Sequence, residues 1–118
     1  MKNTAVRRIA ATVAATAIVG SLTVLAAAPA NAQIKAKCVG PVCIAADIVF
    51  NTVKDATVSV TDGRNADLHI FIGGDVDRWK YNSQNFKTYV NKVYDYGTLV
   101  CGEAWAGGHL LGRPCVKV

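Results

Sequence analysis

From Thr57 to Thr61 the chain alternates strictly, with Val58 and Val60 on one side and hydroxyls on the other. That period of two marks a half-buried β-strand. Leu68, Ile70 and Ile72 form one face of a second such strand, and Asp67, His69 and Phe71 the opposite face. Between the two, Asp62-Gly63 supplies a residue pair favoured in tight hairpin turns. Upstream, Ile44 to Val53 is apolar and β-branched around a single Asp47, as in one largely buried strand. Gly73-Gly74-Asp75 is another turn. Val76 to Tyr81 resumes an extended pattern, and Asn82 to Asn85 is a polar break. Thr98 to Trp105 reads as a further strand, and the Ala106 to His109 stretch, with two glycines, turns the chain back. Leu110 to Val118 closes as a short strand that Pro114 confines to a sheet edge.

One segment obeys two patterns at once. Phe86, Tyr89, Val90, Val93 and Tyr94 fall at helical spacing, with Ser83 placed to cap a helix and Gly97 to end it. Its Phe, Thr, Tyr and Val residues are weak helix formers and good strand formers. Every neighbouring element is a strand set off by turns, so the expectation is strand. The fold class that follows is all-β, a small antiparallel sandwich or barrel. The alternative is α+β with one helix at about residues 83–95.

The N-terminus has a different character. Lys2, Arg7 and Arg8 precede an uncharged run from Ile9 to Ala28, which ends at Pro29-Ala30-Asn31-Ala32. A basic start, an apolar middle and small residues at an A-x-A site describe a secretory signal peptide. A retained membrane anchor competes, because the run is nearly long enough to span a bilayer. Its Ala and Thr content and the A-x-A site favour cleavage after Ala32, with residues 1–32 as signal peptide and 33–118 as one small secreted β-domain. Gln33 to Lys37 carries no pattern and reads as a mobile lead.

Export changes how the four cysteines are read. All of them follow the cleavage site, and an even count in an oxidising compartment predicts two structural disulfides. Three pairings exist, and proximity favours Cys38–Cys43, around a Gly40-Pro41 turn, together with Cys101–Cys115. Closing a loop of about fifteen residues contributes about 3 kcal/mol by restricting the unfolded chain. Neither near pair has the C-x2-C spacing of structural zinc, and a redox pair would need C-x-x-C near a βαβ unit.

Export also lowers the basicity. Of thirteen Lys and Arg, three leave with the signal, so ten basic side chains face eight acidic ones. They are scattered singly, whereas nucleic-acid binding needs a clustered basic face. Nucleic acid is therefore excluded as a partner, and so is a membrane once the signal is removed. No cofactor motif is present.

Candidate chemistry is thin. Ser59 and Ser83 lack a nucleophile elbow, and His69 reads as an ordinary strand residue. Asp75 and Asp77, at i and i+2, share a strand side and suggest at most a surface carboxylate pair or a weak calcium site. No catalytic constellation emerges, so the expectation is a protein that is not an enzyme. Trp79-Lys80-Tyr81 is a candidate binding element, because aromatic rings and a cation on one hairpin stack and pair with a cleft. The expected Cys101–Cys115 loop adds Glu103, Trp105, His109 and Arg113 as a second candidate surface, rigid and thus cheap to order on binding.

Two resemblances attach to these residues. Asn85, Phe86, Thr88, Tyr89, Val93, Tyr94, Tyr96, Cys101, Trp105 and Gly107 resemble the tail of the small exported actinobacterial proteins called spore-associated protein A. That resemblance implies a secreted, β-rich, non-catalytic protein associated with a cell or spore surface. Its partner would be a cell-wall or spore-surface component or an extracellular protein. Trp79-Lys80-Tyr81 is similar to the Trp-Arg-Tyr signature of small secreted α-amylase inhibitors. This second resemblance implies the alternative function, an inhibitor of an extracellular hydrolase such as amylase, and Arg113 in the Cys101–Cys115 loop extends that alternative to a trypsin-like protease.

Overall fold

The computed structural model describes residues 32–118, nearly all of them strand and turn. The expected signal peptide falls on residues 1–31 and the residue after them, so its export role lies outside the described residues. Nine strands follow in order: β1 (Ala32–Val39), β2 (Val42–Val49), β3 (Thr52–Val60), β4 (Ala66–Ile72), β5 (Val76–Ser83), β6 (Asn85–Val93), β7 (Leu99–Ala106), β8 (His109–Gly112) and β9 (Cys115–Lys117). They build two separate antiparallel sheets. The first has the order β1-β2-β3-β6, and the second β5-β4-β7-β8 with β9 also paired to β7. The expected all-β class thus takes the sandwich form rather than the barrel.

The core is the sum of the inward alternations. Val42, Ile44, Ala46 and Ile48 of β2 and Val53, Ala56, Val58 and Val60 of β3 meet Leu68, Ile70 and Ile72 of β4 and Val100 and Ala104 of β7. Burial of this continuous apolar layer is the main favourable term in folding. The sheets approach one another closely at Gly102. A Cβ added there would lie 2.9 Å from both Ile44 Cδ1 and Val58 Cγ2. Glycine at this inward position is therefore a packing requirement.

Several boundaries differ from the sequence reading. Ile44 to Val53 is not one strand, because the chain reverses at Phe50-Asn51, where Phe50 takes a φ of 55°. Unbroken β-branched composition on both sides of a tight turn conceals it. Gln33 to Lys37 is not a mobile lead but most of β1, paired in register along β2. As an edge strand it is exposed almost throughout, so it carries no alternation to read. Asp62-Gly63 is a turn, but it carries the chain from β3 in one sheet to β4 in the other instead of closing a hairpin. Asn82 and Ser83 extend β5, leaving Gln84 alone between β5 and β6.

Phe86 to Val93 is strand, as context and propensity indicated, and Tyr94 lies just past its end. The helical stripe has no common buried face: Tyr89 and Val93 are exposed, while Thr88, which is outside the stripe, is buried. Thr88 accepts a 2.6 Å bond from Arg78 Nη1 across the sheets. Nearby, Asp75 accepts from Lys92 Nζ and from the Tyr94 hydroxyl. These polar clasps tie β5 and the β4–β5 turn to the β6 margin.

Both expected disulfides are present, Cys38–Cys43 and Cys101–Cys115. Each joins directly opposed residues of paired strands. The first locks the β1–β2 hairpin, and the second holds β9 against β7. Gly107-Gly108 forms the reversal into β8 with φ of 57° and 79°, a conformation in which any other side chain is strained. Among the described residues no helix is long and apolar enough to cross a membrane. Two structural disulfides are compatible with an extracellular protein.

Candidate functional site

Strand alternation gives the second sheet an outer face as well as an inner one. Since Leu68, Ile70 and Ile72 point into the core, Asp67, His69 and Phe71 must point out. Register then decides what they meet. His69 stands opposite Trp79 on β5 and opposite Glu103 on β7, and Phe71 stands opposite Asp77 and Cys101. Asp67 stands opposite Trp105. Residues distant in sequence thus share one row across three strands.

His69 is the hub of that row. Its Nδ1 lies 2.7 Å from Glu103 Oε1 and its Nε2 lies 2.5 Å from Asp77 Oδ1. A neutral imidazole offers one donor and one acceptor, so both contacts are donated only when both nitrogens carry hydrogens. Glu103 is held from its other side by Arg113, whose Nε donates to Oε2 at 2.6 Å. Arg113 reaches it because the chain breaks at Arg113-Pro114 between β8 and β9, with the Pro114 carbonyl accepting from Gly102 N at 3.0 Å.

The electrostatics follow from this geometry. Burial of Glu103 opposes its ionisation, but hydrogen bonds from His69 and Arg113 outweigh that and hold its carboxyl below the ordinary range. Trp105 Nε1 is buried without a partner of hydrogen-bond geometry. The indole N–H nonetheless lies near enough to Glu103 to favour the anion. At the opposite end of the row Asp77 is 74 % exposed.

Aromatic rings line the row on the β5 side. The His69 and Trp79 rings stack with centroids 4.0 Å apart and planes within 6°. Tyr81, two residues further along β5, keeps its ring within 5° of the Trp79 plane at 5.9 Å. Phe71 lies against His69 at 4.9 Å and tilted. Trp79 and Tyr81 are both well exposed, at 41 % and 67 %.

Of the residues expected from sequence, Trp79, Tyr81, Glu103 and Arg113 therefore gather on one face, with Trp105 at its β7 end. Two do not join them. Lys80 lies opposite Leu68, on the other side of its strand from the rings, so alternation divides the aromatic–cation–aromatic trio. His109 is exposed at the Gly107-Gly108 reversal, opposite Ala106. The Asp75–Asp77 pair is also split, Asp75 bonding Lys92 and Tyr94 while Asp77 bonds His69. Sequence reasoning missed His69 and Asp77 as members of the site. Only the register of β4 between β5 and β7 brings them to Glu103, and no local spacing reports that register.

The chemistry open to this face is limited by its own saturation. An imidazole–carboxylate pair activates a nucleophile through a free second nitrogen, and here Asp77 occupies that nitrogen. Ser83 Oγ is committed to the Asn85 carbonyl at 3.1 Å, and Ser59 lies on β3 of the other sheet. Among the described residues no group of His, Cys, Asp and Glu is arranged to hold a metal, and none lines a detectable cavity. What remains is a shallow, preorganised surface of rings and hydrogen-bonding groups. The chain matches no family model, no curated protein and no solved structure.

Proposed function

We propose that this is an exported, non-catalytic protein that acts outside the cell by binding a surface component through the outer face of its second sheet. The observation that carries this reading is the exposed Trp79–Tyr81 pair, held rigid by the Asp77–His69–Glu103–Arg113 network on a disulfide-stapled sandwich. Rings already locked by stacking lose little entropy when a partner covers them. The resemblance of Asn85 to Gly107 to spore-associated protein A accords with a place on a cell or spore surface. The test is to fractionate cultures of a producing strain into medium, cell wall and spores. The protein should partition to a surface fraction, and Trp79→Ala should release it to the medium. Equal retention of the folded variant would refute the face as the contact.

A second reading, inhibition of an extracellular hydrolase, is favoured by the same two rings on an edge strand. It predicts loss of α-amylase inhibition in Trp79→Ala, and an unmutated protein that leaves amylase fully active excludes it for that enzyme.

A further inference from the structure

Each sheet ends in two margins, and three of these four are shaped against receiving another strand. β5 and β6 each carry one extra residue against the strand they pair with, and Asn82 and Asn91 take φ of 52° and 51° in those bulges. A bulge twists an edge out of line for further pairing. The other margin of the second sheet, beyond β7, offers only β8 and β9, four and three residues long. β1 differs. All eight of its residues pair with β2 without a break in register, and no strand among the described residues lies beyond it. Its outward N–H and C=O groups thus form a straight, unpaired template for one more strand.

Register assigns the side chains of β1 to two sides. Lys35 and Lys37 stand opposite Ala46 and Ile44, on the core side of the sheet. Ile34 and Ala36 stand opposite Asp47 and Ala45, on its outer side. Both lysines sit at the open margin: Lys35 Nζ donates to the Lys117 carbonyl of β9 at 2.8 Å, and Lys37 is exposed. Neither takes part in an ion pair among the described residues. On the outer side Ile34 is 69 % exposed, next to Asp47. Charge therefore sorts an incoming strand. Carboxylates are favoured on the lysine side and disfavoured on the Asp47 side, where an apolar side chain covers Ile34. The same lysines reject this chain itself. An antiparallel second copy centred on Lys35 or on Ala36 sets lysine directly against lysine.

We infer that the free edge of β1 binds an extended segment of an acidic protein partner, added as a further strand of the first sheet. Alternate carboxylates of that segment lie against Lys35 and Lys37, and apolar residues between them lie against Ile34 and Ala36. Main-chain hydrogen bonds supply affinity in this mode, and side-chain alternation supplies specificity. The site is on the first sheet and is independent of the Trp79 face. The probe is a capped, fluorescently labelled peptide alternating Glu and Val over about seven residues, the usual length of a strand. It is titrated into the native full chain and followed by anisotropy. Lys35→Glu combined with Lys37→Glu should weaken binding by about tenfold or more, and added salt should weaken it as well. Lys54→Ala and Trp79→Ala should each stay within about twofold of the unmutated chain. Hydrogen exchange of the unmutated chain should show β1 amides protected by the peptide, which contact with lysine side chains alone does not give.

The assignment is overturned if the Glu–Val peptide does not bind, or if peptides alternating Gln with Val or Lys with Val bind equally well. Undiminished binding by the double lysine variant, shown by circular dichroism to be folded, overturns it too. So does binding that leaves the β1 amides unprotected. Should the double variant not fold, salt dependence and exchange protection in the unmutated chain decide between the outcomes. A dimer in sedimentation whose β1 amides are protected without peptide makes a second copy the occupant and the acidic partner wrong.

Discussion

Replacing Glu103 with Gln tests the network that fixes this face. The carboxylate accepts from His69 Nδ1 at 2.7 Å and from Arg113 Nε at 2.6 Å, in a residue only 5 % exposed. A Gln side chain has nearly the same shape but one acceptor oxygen, so it keeps one bond and turns its amide N–H toward the other donor. Hydrogen bonds to charged groups contribute about 1.5–3 kcal/mol, and the half-exposed Arg113 is partly screened by water. A loss of about 2 kcal/mol results, which for a domain of this size lowers Tm by roughly 8–16 °C.

The pH dependence gives a second signature. The folded-state carboxyl is held below its ordinary value of 4.5. Its stabilisation is therefore complete above that value and disappears as pH falls through the depressed one. Thermal melts followed by circular dichroism at neutral pH and below pH 4.5 should show the gap between the two proteins closing on acidification. An unchanged Tm at neutral pH refutes the network's contribution to stability. A gap that stays constant down to the acid limit refutes the ionised carboxylate as its source.

Three other perturbations probe the scaffold. Gly102→Ala places a methyl group against Ile44 and Val58 and should cost about 1–3 kcal/mol by overpacking. Urea denaturation measures this, and an unchanged midpoint would show that the sheets separate freely. Loop lengths set by separations of 5 and 14 residues predict that removing Cys38–Cys43 costs about 2 kcal/mol and removing Cys101–Cys115 about 3 kcal/mol; a reversed order in paired Cys→Ala variants contradicts the entropic account. Burial and the bond to Asp75 push the Tyr94 phenol up from 10 to about 12. Its contribution to stability is whole below pH 10 and is lost as pH rises toward 12, so Tyr94→Phe should flatten the alkaline arm of the stability curve. Tyrosinate absorbance should show one of the four tyrosines titrating late, and four coincident titrations would rule this out.

The glycines show how legibility depended on what each residue was doing. Gly40-Pro41 and Gly73-Gly74 announced their turns, since turn chemistry is local. Phe50-Asn51 did not, because a turn made by an aromatic residue at positive φ has no compositional mark. Gly102 lies in a strand where nothing nearby explains it, and its reason sits on β2 and β3 of the opposite sheet. The candidate site divides in the same way. Trp79, Tyr81, Glu103 and Arg113 are residue types capable of binding wherever they stand, whereas His69 reads as an ordinary strand residue and Asp77 as the partner of Asp75, and only register joins those two to Glu103.

By itself, the sequence determined the class of this protein: alternation set the inward faces of β3 and β4, propensity chose strand for Phe86 to Val93, and cysteine proximity set both disulfides. Each of these depends on interactions within a few residues or within one strand. Tertiary structure alone decided that the strands form a sandwich, that β1 is an ordered edge, and that Lys80 faces away from Trp79 and Tyr81. It also assembled Asp77, His69, Glu103 and Arg113 into one row. That row depends on the register of β4 with β5 and β7, and register is set by packing across the whole core.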